Sequence, residues 1–180
     1  MRSNVPIFGN PWPHNMRIGI DAHSHLIVLL YVKHAWRLAR DRGIPDLDPV
    51  PRVGDSAIPP TASPDEWTER WNRHWQQAWA WFASDDPVPP YWQSEFGRDG
   101  IDLSALSEWD MAIRGPLPPV SPEHDCLDAL IPAWRAGIDT IVVLPYRGYY
   151  VQRLSHRHLA VSRTTRDDPE LYRRALATIR

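Results

Sequence analysis

Two histidines near the carboxyl end of the sequence, His156 and His158, have a spacing that suits a metal site. They stand two residues apart in SHRHL, and on a β-strand such residues point to the same face. Imidazole nitrogens are common ligands of zinc and other divalent transition metals. A third ligand must come from elsewhere. His124 is the first choice, and the other candidates are Asp125, Cys126, Asp128 and His74. This pattern allows a small metal-dependent hydrolase, and the alternative is a pair of solvent-facing histidines on a strand.

A second His-x-His pair lies in the segment IDAHSHL, from Ile20 to Leu26. The segment resembles the His-x-His that opens the barrel of metal-dependent amidohydrolases, in which both imidazoles bind one metal. The resemblance implies a (β/α)₈ barrel with a metal held by His23 and His25. Such a barrel needs about 200 residues or more and a succession of parallel strands. On a helix the two side chains also point about 200° apart, so we expect histidines at a helix start instead.

The sequence contains no motif typical of nucleophilic catalysis. There is no Gly-x-Ser-x-Gly turn, and the single cysteine, Cys126, lies beside Leu127. The first turns of a helix stabilise a thiolate, but the leucines around Cys126 predict ordinary packing. A single cysteine excludes an intrachain disulfide and fits a reducing compartment. No phosphate-binding glycine loop occurs, and we therefore predict no cofactor beyond the metal alternative.

Cations and aromatic residues alternate in the last forty residues, as they do in proteins that bind single-stranded nucleic acid. The residues concerned are Arg147, Tyr149, Tyr150, Arg153, Arg157, Arg163 and Arg166. Residues 140–180 carry eight basic and three acidic side chains, whereas residues 43–139 carry six and seventeen. The acidic middle can neutralise the basic ends within one domain. Nineteen arginines stand against one lysine, Lys33, which suggests a GC-rich bacterial genome and weakens the argument for nucleic acid.

The stretch from Ser63 to Phe82 holds five of the ten tryptophans and predicts an amphipathic helix. Ser63 suits the N-cap, Pro64 the first helical position and Glu66 the third, which completes a capping box. One face collects Trp67, Trp71, Trp75 and Trp79, with His74 as an expected core residue. The rest of the chain covers this stripe, or else the stripe is left open as a docking surface.

The other elements position these residues. The first fifteen residues are rich in proline and predict an extended arm, residues 44–64 an irregular proline-rich connector, and Met16–Ile20 a short strand. Residues 138–163 predict three antiparallel strands in a meander. Four further helices are predicted from their caps: Asp21–Arg42, Leu103–Arg114, Ser121–Arg135 with a kink at Pro132, and one that starts at Asp168.

These elements predict one α+β domain over residues 1–180, with about five helices around the tryptophan-rich helix. The longest apolar run, Leu26–Val32, has seven residues, too few to span a membrane, so we expect a soluble cytoplasmic protein. The leading functional hypothesis is a bacterial accessory, scaffold or assembly protein without catalysis of its own. It would act through contacts with another protein or with itself, because Trp, Tyr and Arg are enriched at interfaces.

Overall fold

The computed structural model describes residues 11–21, 24–39, 43–84, 86–116 and 120–179. Contacts divide the chain into two units. We call the described parts of Met1–Ala22 and Pro116–Arg180 the sheet unit, and those of His23–Gly115 the tryptophan unit. The described residues form eight α-helices and one four-stranded sheet, which confirms the α+β class. That the chain is one domain stays a prediction.

The tryptophan unit contains four helices. They are α1 (Ser24–Ala35), α2 (Pro64–Ala80, followed by a 3₁₀ turn at Trp81–Ala83), α3 (Trp92–Phe96) and α4 (Leu103–Arg114). Helix α2 begins as predicted, because Ser63 Oγ accepts the Glu66 N–H at 3.2 Å and Glu66 Oε2 accepts the Ser63 N–H at 2.7 Å. The bounds of α4 are also as predicted, with Asp102 capping its amino end. Helix α3 was not predicted.

Helix α1 is shorter than the sequence predicted. We expected Asp21–Arg42, with Asp21 as the N-cap, but Asp21 is the last residue of a strand and the helix starts at Ser24. The apolar run in its centre is buried on all sides, from Leu26 to Val32. A helix that is buried on all sides carries no amphipathic pattern. Hydrophobic periodicity therefore could not show where α1 begins and ends.

Helix α1 stops early because the chain turns in a Schellman motif. The Leu38 N–H bonds to the Lys33 carbonyl at 3.0 Å, and the Arg37 N–H to the His34 carbonyl at 3.3 Å. Arg37 adopts a φ of 56°, in the left-handed region where helices usually place glycine. The predicted stop at Gly43 was wrong, because an arginine occupies the position at which the sequence signal would have been a glycine.

The aromatic face of α2 lies in the interior of the tryptophan unit. Trp67, Trp71 and Trp75 are 3%, 0% and 7% exposed, and Trp79 is partly exposed. The rings of Trp71 and Trp75 stack at 5.1 Å. Of the two alternatives for this stripe, a covered face and an open docking surface, the covered face describes Trp67, Trp71 and Trp75, which are core residues.

Four buried indoles also donate hydrogen bonds to backbone carbonyls of other segments, at 2.7 to 3.1 Å. The pairs are Trp71 with Leu29, Trp67 with Pro59, Trp109 with Pro49, and Trp36 with Gly100. Two of these acceptors, Pro49 and Pro59, lie in the proline-rich connector, whose described residues hold turns, bends and one bridge residue. Side-chain hydrogen bonds therefore fix a segment that has little backbone pairing of its own.

The sheet unit contains the four strands and the remaining four helices. In chain order these are β1 (Gly19–Asp21), α5 (Pro122–Asp125), α6 (Leu127–Arg135), β2 (Thr140–Leu144), β3 (Val151–Arg153), β4 (His158–Ser162), α7 (Arg163–Asp167) and α8 (Pro169–Leu176). The strand order is β1-β2-β4-β3. Residues from β2, β4, α6 and α8, including Leu130, Ile141, Leu159 and Tyr172, form its buried core. Asp168 caps α8 as predicted.

The predicted antiparallel meander is wrong in its pairing. Strand β2 runs parallel to both β1 and β4, and only β3 and β4 are antiparallel. Four of the five β4 residues, from Leu159 to Ser162, are buried. Strands covered on both faces carry nearly continuous apolar runs, whereas a half-exposed antiparallel strand alternates. The runs TIVVL and HLAV were therefore a signal of parallel pairing.

The predicted helix Ser121–Arg135 is two helices. The chain breaks at Cys126, with φ −121° and ψ 24°, and Pro132 lies inside α6. The hydroxyl of Ser121 does not cap the helix but donates to the carboxylate of Glu123. The helix thus begins at the predicted position, with Ser121 as the N-cap residue and Pro122 first in the helix, but without the expected side-chain cap.

Candidate functional site

The three histidines of the predicted metal site are not assembled. His158 opens β4, and its Nδ1 lies 2.9 Å from Ser155 Oγ. His156 is exposed before the strand begins, so the two-residue period does not place both rings on one face. The His124 ring packs 5.2 Å from that of Trp12. Within the described ranges no three His, Cys, Asp or Glu side chains are placed to hold a metal ion.

Of the earlier histidine pair, His23 and His25, the structure describes only His25. His23 lies outside the described residues. His25, in the first turn of α1, is 1% exposed and packs against the rings of Trp81, Phe82 and Tyr91. The described sheet is an open one of four strands, three of them in parallel register. It does not match the barrel that the amidohydrolase resemblance implied.

Cys126 is a packing residue. Its side chain is fully buried, and its Sγ lies 3.6 Å from the Pro169 carbonyl, to which it donates. Burial raises the pKa of the thiol, although the positive charge of Arg173 acts in the opposite direction. The thiolate is thus disfavoured, and the alternative of a helix-activated nucleophile loses its basis.

Three residues of the predicted nucleic-acid surface, Tyr149, Tyr150 and Arg153, make contacts within the sheet unit. Arg147, Tyr149 and Tyr150 precede β3, and Arg153 ends it. The guanidinium of Arg174 lies 3.8 Å over the Tyr149 ring, so one face of that ring is covered. The Tyr150 hydroxyl donates to Gln152 at 2.6 Å, and Arg153 Nε donates to the Ser155 carbonyl at 3.1 Å.

Three further arginines of the predicted basic surface are paired with acids. The pairs are Arg157 with Asp139 at 2.7 Å, Arg163 with Asp167 at 3.0 Å, and Arg166 with Glu123 at 2.8 Å. A phosphate would have to compete with these carboxylates for the same guanidinium donors. The composition that suggested a nucleic-acid platform is therefore used largely for internal charge pairing.

The Glu123–Arg166 pair is the buried ionic group of the sheet unit. Glu123 is 3% exposed, accepts from Arg166 Nε and Nη2 at 2.8 Å each, and accepts from the Tyr172 hydroxyl at 3.2 Å. Burial opposes ionisation of Glu123, but hydrogen bonds from Arg166 and Ser121 outweigh it and lower the pKa of the carboxyl. The group joins α5, α7 and α8, and its enclosure indicates a stabilising role.

A different place, in the tryptophan unit, has the form of a binding site. Helix α3 is a five-residue helix that Trp92 anchors in the interior. The Trp92 ring lies 4.3 Å from Phe96 and 5.8 Å from Trp36. Because Trp92 fixes the helix, its neighbours Tyr91, Gln93 and Ser94 are held toward the outside.

These neighbours line an open cleft of about 440 Å³ beside the first turns of α1. Its lining residues are Ser24, Val28, Tyr91, Gln93, Ser94 and Arg98. The volume falls within the range of ligand sites, roughly 300–1,000 Å³. Tyr91 is 38% exposed, and Ser94 Oγ donates to the Tyr91 carbonyl at 2.6 Å, which fixes the rim. The lining combines one aromatic ring, one aliphatic side chain and four polar ones.

The electrostatics of this cleft favour an anionic group. Ser24 begins α1, a helix of twelve residues with no acidic side chain in its first turn, and helix amino ends carry partial positive charge. Arg98 is exposed and forms no ion pair with any residue that the structure describes. Glu95 on α3 is bound to His74 Nδ1 at 2.8 Å. An arriving carboxylate would therefore meet one exposed arginine and a helix amino end.

The His74–Glu95 pair has the arrangement of a catalytic dyad but not its access. A carboxylate bound to Nδ1 orients an imidazole so that Nε2 can transfer protons. His74 is 2% exposed, and its Nε2 is enclosed with no hydrogen-bond partner within the described part of the chain. The ring instead packs edge-on to Trp92 and Phe96. The expected core role of His74 agrees with this placement.

Sequence reasoning did not find this cleft. Four of its six lining residues follow the proline-rich break at 87–90, in or beside a helix too short to show periodicity. The sequence did contain two adjacent aromatic residues, Tyr91 and Trp92, followed by Arg98. In the structure Tyr91 is exposed and Trp92 is buried. Only the fold shows that this segment meets the start of α1.

The sequence matches no family model, and neither the curated proteins nor the solved structures include a significant match to it. Within the described residues, no helix is both long and apolar enough to cross a membrane. The functional argument therefore depends on the geometry of this chain alone.

Proposed function

We propose that the protein is a cytoplasmic bacterial accessory or assembly protein, and that an acidic segment of a partner protein docks in the cleft between α1 and α3. The observation that carries this proposal is the exposed Arg98 beside Tyr91 and the amino end of α1. Tyrosine and arginine are among the residue types that contribute most to binding at protein interfaces. No second function is supported by a comparable feature.

The shape of the cleft supports a protein partner over a small metabolite. Small-molecule sites usually bury 70–90% or more of their ligand, whereas this cleft is open to solvent along one side. A segment of a partner can gain further contacts on the surrounding surface, as the polar rim of an interface requires. The charge selects an acidic segment, since an arginine side chain can bind a carboxylate through two parallel hydrogen bonds.

Affinity isolation with matched variants tests this proposal. Arg98→Glu reverses the charge in the cleft, and Arg73→Glu makes the same change on the exposed side of α2. A partner that docks in the cleft is recovered with the wild type and with Arg73→Glu but not with Arg98→Glu. Equal recovery by all three proteins would contradict the proposal. Sedimentation of the purified protein shows whether the partner is a second copy of this chain.

A further inference from the structure

The only lysine of the sequence lies in a small pocket of the tryptophan unit. The chain has twenty basic residues, of which Lys33 alone is a lysine. Its side chain lines a cavity of about 100 Å³ together with Leu30, His34, Ile44, Pro45, Asp46 and Leu47. Four of these neighbours are apolar, and the two titratable ones, His34 and Asp46, stand beside the amine. Lys33 is partly buried and forms no salt bridge with the described residues.

Lysine and arginine differ in chemistry that matters in such a pocket. An arginine guanidinium stays protonated in proteins, whereas a lysine amine can lose its proton when it is desolvated and then acts as a nucleophile. In a chain that otherwise uses arginine, the lysine stands at the position where a small, partly open cavity meets the basic group. Lys33 is therefore distinguished in two independent ways, as the single lysine of the sequence and as a residue that lines a cavity.

The partial burial of Lys33 favours the free amine. Burial lowers the pKa of Lys33, and the nearby carboxylate of Asp46 only partly offsets this effect. Burial also lowers the pKa of His34, with Lys33 and Arg37 acting in the same direction. The neutral form of the His34 imidazole is therefore favoured beside Lys33.

We propose that Lys33 is a covalent site for a small aldehyde or ketone, which it binds as a Schiff base within the cavity formed by α1 and the start of the connector. The Nζ lone pair adds to the carbonyl carbon and one amine proton passes to the oxygen, which gives a carbinolamine. The second amine proton then leaves with this hydroxyl as water while the C=N bond forms. The products are one imine and one water molecule, and no oxidant or reductant is needed. The cavity is small and has a mixed lining of four apolar and two polar neighbours, which fits a carbonyl compound with a short aliphatic tail.

Reductive trapping with propanal and cyanoborohydride tests this proposal on the full chain. The variant Arg73→Lys supplies an ordinary exposed amine on α2 in the same molecule, and peptide mapping separates the two positions from the amino terminus. At pH 7 we expect Lys33 to be labelled about threefold or more faster than the amine at position 73, because a lower pKa leaves more free base. We also expect the Lys33 rate alone to saturate with propanal concentration.

Equal or slower labelling of Lys33 would overturn the proposal, as would a rate that rises linearly with propanal at both positions. Unfolding the same protein in urea provides the second comparison. There the two amines should react at similar rates, so a Lys33 advantage that persists in urea would also overturn the role of the pocket. The cleft with Arg98 takes no part in this experiment.

Discussion

The indole Nε1 of Trp71 donates a hydrogen bond to the backbone carbonyl of Leu29 at 2.8 Å, and this bond joins α2 to the middle of α1. Both residues are fully buried. A tryptophan ring at the centre of the tryptophan unit thus fills the interior and also satisfies its own polar atom. The same principle recurs for Trp36, Trp67 and Trp109, whose indoles fix the loops that surround the helices.

The first prediction concerns this central ring. Trp71→Ala should lower the free energy of unfolding by about 3–5 kcal/mol, because it leaves a large cavity in the core. Trp79→Ala, at a partly exposed position on the same helix, should cost clearly less. Urea unfolding followed by circular dichroism measures both variants. Equal losses for the two variants would show that the Trp71 position is not central to the core.

The second prediction separates backbone strain from a steric clash. Gly100 and Gly97 have φ values of 74° and 76°, so alanine is strained at both. A Cβ at Gly100 would lie 2.1 Å from the Ala57 carbonyl oxygen, whereas one at Gly97 meets nothing within 4 Å. Gly97→Ala should cost about 1–3 kcal/mol, and Gly100→Ala distinctly more. Thermal unfolding of both variants measures the difference, and equal losses would contradict the clash.

The third prediction concerns the buried ion pair. Glu123→Gln should lower the free energy of unfolding by about 3 kcal/mol at pH 7, since it leaves the partly buried Arg166 with only its longer, 3.9 Å contact to Asp167. Asp128→Asn removes the exposed pair of Asp128 with Arg173, and exposed pairs contribute about 0–1 kcal/mol. Denaturant unfolding should therefore separate the two variants, and a similar small loss for both would contradict the assigned role of Glu123.

The ion pair also predicts a pH dependence. Folding lowers the pKa of Glu123 below its ordinary value of 4.5, so the unfolded chain takes up its proton first as the pH falls. The stability that Glu123 contributes is fully present above pH 4.5 and is lost as the pH falls through the folded pKa. The stability difference between the wild type and Glu123→Gln should shrink over this window. A difference that stays constant would contradict the pKa shift.

The fourth prediction concerns the thiol. Because Cys126 is buried and its pKa is raised, we expect iodoacetamide at pH 8 to label the folded chain at least about tenfold more slowly than the unfolded chain. Mass spectrometry of timed samples measures the two rates. Comparable rates would indicate an accessible or activated thiolate, and the alternative of a reactive cysteine would then return.

The sequence predicted those helix ends that are set by hydrogen bonds between residues near each other in the chain. The start of α2 at Ser63, both ends of α4 and the Asp168 cap of α8 follow from hydrogen bonds between residues a few positions apart. The end of α1 at Ala35 was missed, because Arg37 takes a left-handed conformation that its residue type does not announce.

Features that depend on long-range pairing were beyond local patterns. The insertion of β4 between β2 and β3 brings together residues that are 18 positions apart, such as Thr140 and His158. The candidate cleft likewise joins Ser24 to Arg98. His156 and His158 do not share one face of a strand, because β4, which was expected to contain both, starts only at His158.

The measurement that tests the proposed function most directly is a nitrogen-15 NMR titration with two peptide mixtures that differ only in a central Glu or Gln. The Glu mixture should shift the amide signals of the cleft residues Ser24, Tyr91, Gln93 and Ser94. High salt should weaken the effect, and Arg98→Glu should abolish it while Arg73→Glu keeps it. Equal shifts from the Gln mixture, or shifts that lie elsewhere on the molecule, would contradict the account.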